Sequence, residues 1–503
     1  MEIRIFKFYI QVLKHSLLLT VIISRKQPES CLEDASKQYI MQKRIVIIGG
    51  GFAGINLAQK LGNSKDYEVT LVDKNNYNFF PPLIYQVATG FLEPSAISYP
   101  FRKLFRGKDN LRFRLGELIK VVPESKQIVL SNGTVDYDIL IFASGAETNY
   151  FGMENVKKNA IPMKTVGDAI QMRNRILTHI EDATITKSRE EMLEDLNIVV
   201  AGGGPTGVEI SGMFAEMRQN VIHKDYPEIK RTGAEIYLVD GGSALLKPMS
   251  KKSQQHTQES LTKLGVKIIL NSHVNDFVDN KVILSDGTKI PTKNLIWAAG
   301  VSAIVFEGMP AASYGRGKRL IVNPYHQVEG MVDVYAIGDT CIQSGDAKFP
   351  EGHPQVAQVA IQQGQNLAKN LHLAAQNKPL IAFSYKDRGS MAIIGRNKAV
   401  ADLPSPELHL KGFIAWCAWL FIHLLSLISY RNRLNTLYNW TVAYFSKDQS
   451  LRMIIRPVDY IEEKKKIEVI KAEIEKNEDL EKSAAPEGNE IPEAIVVPVQ
   501  KGV

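Results

Sequence analysis

The chain has 503 residues, enough for two or three domains of ordinary size. Apolar residues make up 45% and charged residues 23%, which excludes a multi-span membrane protein and an intrinsically disordered one. A formal charge of +7 is too diffuse to argue for nucleic acid but suits anionic headgroups. Three cysteines with no CxxC spacing, and histidines without clustering, point to neither a disulfide scaffold nor a metal site.

Residues 1–40 form a separate extension. Its apolar stretch, 3–24, carries basic residues, and two readings stay open: an anchor or uncleaved signal, or an untranslated stretch before a start at Met41.

The folded body opens with "KRIVIIGGGFAGINLAQKL". The apolar run Ile45–Ile48 predicts a buried parallel strand, and Gly49-x-Gly51-x-x-Gly54 leads from it into a helical pattern. A strand-to-helix turn needs the first glycine. A pyrophosphate reaches bare backbone at the second, and helix and strand close together at the third. The helix start then offers free N–H groups to phosphate. "EVTLVD" predicts the next strand, and Asp73, nineteen residues beyond Gly54, stands where a carboxylate can bond the ribose of an adenosine. Next comes "NNYNFFPPLIYQVATGFLEP" (75–94), an apolar stretch that its prolines stiffen against being a plain strand.

The same device recurs in "LNIVVAGGGPTGVEISGMFAEM", with Gly202, Gly204 and Gly207, and "AEIYLVD" ends at Asp240. The charged stretch 223–233 accounts for the longer gap as an insertion after the helix. Asp240 precedes Gly-Gly-Ser with no adjacent arginine, which argues for NADH over NADPH, since a carboxylate repels a 2′-phosphate. Two clamps imply two nucleotides. A nicotinamide needs an electron carrier beside it, and FAD is the usual second dinucleotide. "YDILIFASGAETN" and "KNLIWAAGVSA" each run from a strand into small residues at Gly145 and Gly300, as chain crossings between domains do. "DVYAIGDT" ends at Gly338-Asp339.

With GGGFAG and Asp73, GGGPTGVE and Asp240, and AIGD before a helix, the sequence resembles the two-dinucleotide-binding-domain flavoproteins. The resemblance implies an α/β fold with two Rossmann-like domains: an FAD domain split over 43–160 and 300–378, and an NADH domain, 161–299, inserted into it. Asp339 then matches the acid that contacts the flavin's ribityl–pyrophosphate portion.

The helix predicted after Pro354 places Gln358 and Gln362 one turn apart beside Ile361, a face with amides and apolar surface together; spacing alone equally allows a core helix with exposed glutamines. "FFPPLIYQVATG", "AQVAIQQG" and "AWLFIHLLSLISYRNRLNTLYNW" resemble the type II NADH:quinone oxidoreductases over residues 43–457. That resemblance implies hydride transfer from NADH to FAD and two electrons passed on to a membrane quinone without proton pumping. It implies quinone contacts at Ala357, Gln358, Ile361 and Gln362, with Pro82 and Leu83 opposite, and a proton-handling role for Glu209. On position alone, Glu209 reads equally well as an acid near a helix N-terminus.

Residues 379–457 are expected to anchor the enzyme to the cytoplasmic face of the inner membrane. The run 413–430 is about as long as the shortest spanning helices. Its polar interruptions at His423 and Ser426, and the amphipathic stretch after it, favour a pair of helices lying in the interface over one that spans or a buried dimer contact. Residues 458–503 read as a charged, disordered tail. The competing functions are an FAD-dependent NADH reductase of a soluble acceptor and a non-catalytic NADH-binding flavoprotein.

Overall fold

The computed structural model describes residues 42–229, 232–448 and 451–455; the apolar stretch 3–24 and the charged tail from 456 lie outside the described residues. The first unit begins with strand β1 (Lys43–Ile48), helix α1 (Phe52–Leu61) and strand β2 (Tyr67–Asp73), and continues to β3 (Leu111–Leu115) and β4 (Ile139–Phe142). Ile45 and Ile47 are fully buried, as a parallel strand covered on both faces requires. Between β3 and β4 lies an antiparallel three-stranded sheet formed by 118–122, 127–130 and 133–136.

The second unit repeats this plan. It runs through β5 (Ile161–Pro162), α2 (Val166–Ile185), β6 (Ile198–Ala201), α3 (Pro205–Met217), β7 (Ile236–Asp240), α4 (Lys251–Lys263), β8 (Val266–Leu270) and β9 (Asn294–Trp297). Its five strands lie in the order β5-β9-β6-β7-β8, all parallel, with a second antiparallel trio before β9. The charged stretch after α3 begins as a continuation of that helix, through a π-helical turn at Arg218–Ile222 and on to Asp225. Strand β10 (Val334–Ala336) then returns to complete the first sheet, whose order is β10-β4-β1-β2-β3. The two crossings between the units pair with each other as an antiparallel ribbon, Ala146–Thr148 against Val301–Ala303.

Helix α5 (Ala357–Ala375) packs along α1, so closely that a Cβ on Gly364 would stand 2.5 Å from the Ala53 carbonyl oxygen. The C-terminal module is an antiparallel sheet, β11 (Ser390–Gly395), β12 (Lys398–Pro404) and β13 (Glu407–Lys411), followed by helices α6 (Gly412–Ser426) and α7 (Tyr430–Ser446).

The spanning-helix reading of 413–430 is corrected here. α6 ends after 15 residues because Leu427 turns to extended backbone (φ −67°, ψ 137°). Among the described residues no helix is long and apolar enough to cross a membrane. Instead the two helices are two-faced. Trp419 is fully buried with Ala415, Leu427 and Trp440 in one core, whereas Ile414 is 67% and Phe421 63% exposed. Leu425, Leu434, Tyr438 and Phe445 extend the exposed apolar surface.

Candidate functional site

The two glycine turns have nearly the same geometry. Gly49 has φ +104° and Gly202 φ +112°, which side chains rarely adopt; a Cβ would stand 2.4 Å from Ala143 O at the first and 2.5 Å from Ala298 O at the second. A Cβ on Gly54 would lie 1.9 Å from Gly49 O, and one on Gly207 would lie 1.8 Å from Gly202 O. Gly51 and Gly204 differ from these: a Cβ on either meets nothing within 4 Å, so the N-termini of α1 and α3 are open where a pyrophosphate would lie.

The acids match as well. Asp73 accepts the Gly50 N–H at 2.7 Å through one oxygen and the Asn75 N–H at 2.7 Å through the other. Asp240 accepts the Gly203 N–H at 2.6 Å and the Gly242 N–H at 2.7 Å. Burial raises the pKa of Asp73, and those two N–H groups oppose it. Each carboxylate keeps lone pairs for a ribose, so the residues fit two adenine dinucleotides.

Gly338 lies against the first clamp, its missing Cβ 3.2 Å from Ala53 Cβ. Its N–H donates to the buried Gln363 Oε1 at 2.7 Å. Asp339 is largely buried, which raises its pKa, while the charges of Lys164 and Arg319 hold that rise back. Gly145 has φ +70° with open space beside it, and its neighbour Ser144 meets Thr340 through a 3.1 Å hydroxyl contact. Gly300 is covered by the Phe151 ring.

Gln358 and Gln362 share one face of α5, and both amides hold the segment before β11. Gln358 donates to Gly389 O at 2.8 Å and accepts the Arg388 N–H at 3.0 Å. Gln362 donates to Lys386 O at 2.9 Å and accepts the Lys386 N–H at 3.1 Å. Ala357 and Ile361 are half-buried beside them. Pro82 is half-exposed in a 3-10 turn, Pro81–Leu83, and Leu83 is fully buried. Phe52, the first residue of α1, packs both into the cluster with Phe80 and Leu83 and into the one with Ala360, so it stands between these two groups of residues.

Glu209 is no surface acid. It sits in the second turn of α3, nearly fully buried, and its Oε1 accepts the Ile393 N–H of β11 at 3.4 Å. Burial pushes its pKa up to about 8. Around it lie residues that sequence reasoning missed. Gln86 donates to Tyr85 Oη at 3.0 Å and accepts from Trp440 Nε1 at 2.8 Å, and the Trp419 and His423 rings stack at 3.8 Å. The paired buried aromatics of α6 and α7 were a signal, but the sequence does not say what they pack against. Cys341 is buried with its thiol pushed up to about 12, so it supplies no thiolate near neutral pH, and Cys417 is a free, exposed cysteine.

Two parallel sheets, each with a glycine clamp and a half-buried aspartate, define a dinucleotide-dependent oxidoreductase of the two-domain flavoprotein class. Accordingly, residues 43–364 match the family described as pyridine nucleotide-disulphide oxidoreductase, and residues 388–447 match the NDH2 C-terminal domain. The chain is 34% identical over 430 residues to the type II NADH:quinone oxidoreductase NdhA of Mycobacterium tuberculosis, covering 83% of this chain and 90% of that one. It is 35% identical to Ndh of the same organism, covering 82% and 90%. The fold resembles the structure of NDH2 from Plasmodium falciparum in complex with NADH, with a TM-score of 0.75 at 24% identity, over 82% of this chain and all of that one. The chain belongs to the type II NADH:quinone oxidoreductase family.

Proposed function

We infer that this protein oxidises NADH and reduces a quinone, so that NADH, one proton and quinone yield NAD+ and quinol. The observation that carries the reading is the duplicated clamp: one chain offers two open helix N-termini, each with a half-buried aspartate bonded to its glycine turn, and so accommodates two dinucleotides. Gly49, Gly51, Gly54, Asp73, Gly145, Gly338 and Asp339 would hold FAD, and Gly202, Gly204, Gly207, Asp240 and Gly300 would hold NADH. Bound FAD supplies the two-electron carrier that nicotinamide and quinone need between them.

The chain's own residues supply position and protons. The Ser144–Thr340 contact and the ribbon of 146–148 with 301–303 fix the crossing between the two units. Glu209, protonated up to about pH 8 in its buried setting, can hold the proton that the quinone takes up beyond the hydride. Gln358 and Gln362 hold the segment 386–389 in place and offer amide donors beside Ala357 and Ile361 on the quinone side, with Pro82 and Leu83 opposite. The exposed apolar face of α6 and α7 fits a lipid surface, where a long-tailed quinone dissolves, and so supports a peripheral membrane enzyme; the side assigned to it is the cytoplasmic face of the inner membrane.

Steady-state NADH oxidation with a short-tailed quinone, compared with a water-soluble acceptor, tests the assignment. Faster turnover with quinone is expected. Equal or better turnover with the soluble acceptor would favour a soluble-acceptor reductase. Flavin that bleaches with NADH but does not reoxidise with any quinone would favour a non-catalytic flavoprotein.

A further inference from the structure

The buried carboxyl of Glu209 belongs to the second nucleotide unit, yet its contacts come from the C-terminal module. Three successive positions on one face of α3 seal against β11. Glu209 takes the Ile393 N–H. Gly212 lets the strand so close that a Cβ there would lie 1.8 Å from Ile394 O. Glu216 takes the Arg396 N–H at 2.5 Å. Helix α6 packs over β11 and β12 and brings Trp419 to the carboxyl.

Trp419 is fully buried, and its Nε1 makes no hydrogen bond of good geometry. The indole nonetheless acts on the Glu209 carboxyl, favouring its charged form. The N–H is therefore poised beside the carboxyl without a formed bond. A buried indole N–H normally finds a partner, because leaving it bare forfeits its bond to water.

The ring cannot easily turn away. His423 stacks on it at 3.8 Å with an interplanar angle of 17°, and the His423 Nδ1 meets the Trp419 carbonyl oxygen at 2.7 Å. The Trp440 ring lies 6.1 Å away at a tilt of 47°, itself held by Gln86.

A neutral carboxyl is served by the single long bond from Ile393, but a carboxylate needs more donors. The indole can only donate. We propose that Trp419 is a positioning residue for Glu209: when the carboxyl loses its proton, the indole N–H becomes its second donor, so the helix facing the lipid sets how readily that proton leaves. The proposal rests on the reading of Glu209 as the proton-holding group in quinone reduction.

The other titratable groups around this carboxyl are few. Tyr85, between α2 and α3, has its ionisation opposed by Glu209 and is held neutral by burial. His423, behind the Trp419 ring, is kept neutral by burial down to about pH 4. Glu216 lies two turns away, where the charges of Lys398 and Arg396 act on it.

Trp419→Phe keeps an aromatic ring at this position and removes the N–H together with the rest of the five-membered ring, a loss of volume that Trp440→Phe matches. The protonated-carboxyl infrared band that Glu209→Gln removes should titrate higher in Trp419→Phe than in the unmodified enzyme, by half a pH unit or more, about a threefold change in proton affinity. The pH profile of quinone reduction should move with it, while KM for NADH stays within twofold. Trp440→Phe, which disturbs the same packing but leaves the Trp419 N–H in place, should leave the band where it is. An unmoved band in Trp419→Phe overturns the proposal, and so does an equal shift in Trp440→Phe. A band that moves without the activity profile supports the role of Trp419 and removes Glu209 from quinone reduction.

Discussion

Trp440 donates its indole N–H to Gln86 Oε1 at 2.8 Å, joining the last described helix to the segment that follows the first nucleotide clamp, 354 positions earlier in the chain. Both residues are buried, and Gln86 passes the connection on to Tyr85. Replacing Gln86 by Leu strands the indole N–H and should cost about 1–3 kcal/mol of stability. Pairing Gln86→Leu with Trp440→Phe should recover part of that loss, because both polar groups are then gone. Urea unfolding of the two singles and the double measures the coupling; strict additivity would mean that the bond contributes nothing.

Glu209 gives stability a pH dependence whose sign is fixed. Its pKa of about 8 in the fold lies above the ordinary 4.5, so its contribution is fully present below about pH 4.5 and is lost as pH rises toward 8. Glu209→Gln removes this loss. The unfolding free energy of Glu209→Gln relative to the unmodified enzyme, from urea unfolding, should climb between pH 5 and 8 and level off above, with a slope no steeper than about 1.4 kcal/mol per pH unit. A difference that is flat across this range would show that the carboxyl titrates normally.

Substitution at Gln358 should separate the two half-reactions. Gln358→Leu removes the bonds to Arg388 and Gly389 along with the amide. Quinone turnover should fall tenfold or more, about 1.4 kcal/mol, while reduction of the flavin by NADH stays fast. Stopped-flow flavin bleaching followed by quinone-driven reoxidation resolves the two. Equal loss in both would place Gln358 in the scaffold alone.

Membrane attachment is better tested on the surface than by deletion. Removing 412–457 would release the protein, but it would also remove Trp419 and Trp440 from the core. Ile414→Glu, Phe421→Glu and Leu425→Glu change only exposed positions. Burying one such side chain in lipid contributes about 1.5–3 kcal/mol, so each change should weaken vesicle binding at least tenfold with the melting temperature unaltered. Co-sedimentation that stays undiminished would place the anchor elsewhere, residues 3–24 being the next segment to test.

Asp240 should govern the choice between NADH and NADPH. Asp240→Ser removes the charge that repels a 2′-phosphate, so KM for NADPH should fall while KM for NADH rises. Steady-state kinetics with both nucleotides reads the ratio; an unchanged ratio would move the discrimination to another residue.

The glycine clamps were legible because their geometry is local: Gly49 and Gly202 sit in turns that almost only glycine makes, and the strand and acid follow within the same unit. The shared face of Gln358 and Gln362 was legible from helical spacing. Their partners were not, because Lys386, Arg388 and Gly389 contribute backbone groups that any residue would carry. Glu209 was marked by resemblance, but its burial depends on Ile393 and on Trp419, in a module that begins some 180 positions later. That 413–430 would not form one spanning helix was legible from its polar interruptions, but which of its faces is core was not. Hydropathy counts both faces of a helix alike, whereas here one face is core, the other is exposed, and the chain turns at Leu427.

The hydrogen bonds and close approaches of the two clamps agree to within 0.1 Å. FAD and NADH share the adenosine diphosphate half that such a clamp grips, so neither clamp can tell one coenzyme from the other at this end. Recognition has to occur where the molecules differ, at the redox ring and its tether. Exchanging the two glycine loops should therefore leave each coenzyme in its own unit, whereas recutting the walls beyond Gly145 and Gly338 should not.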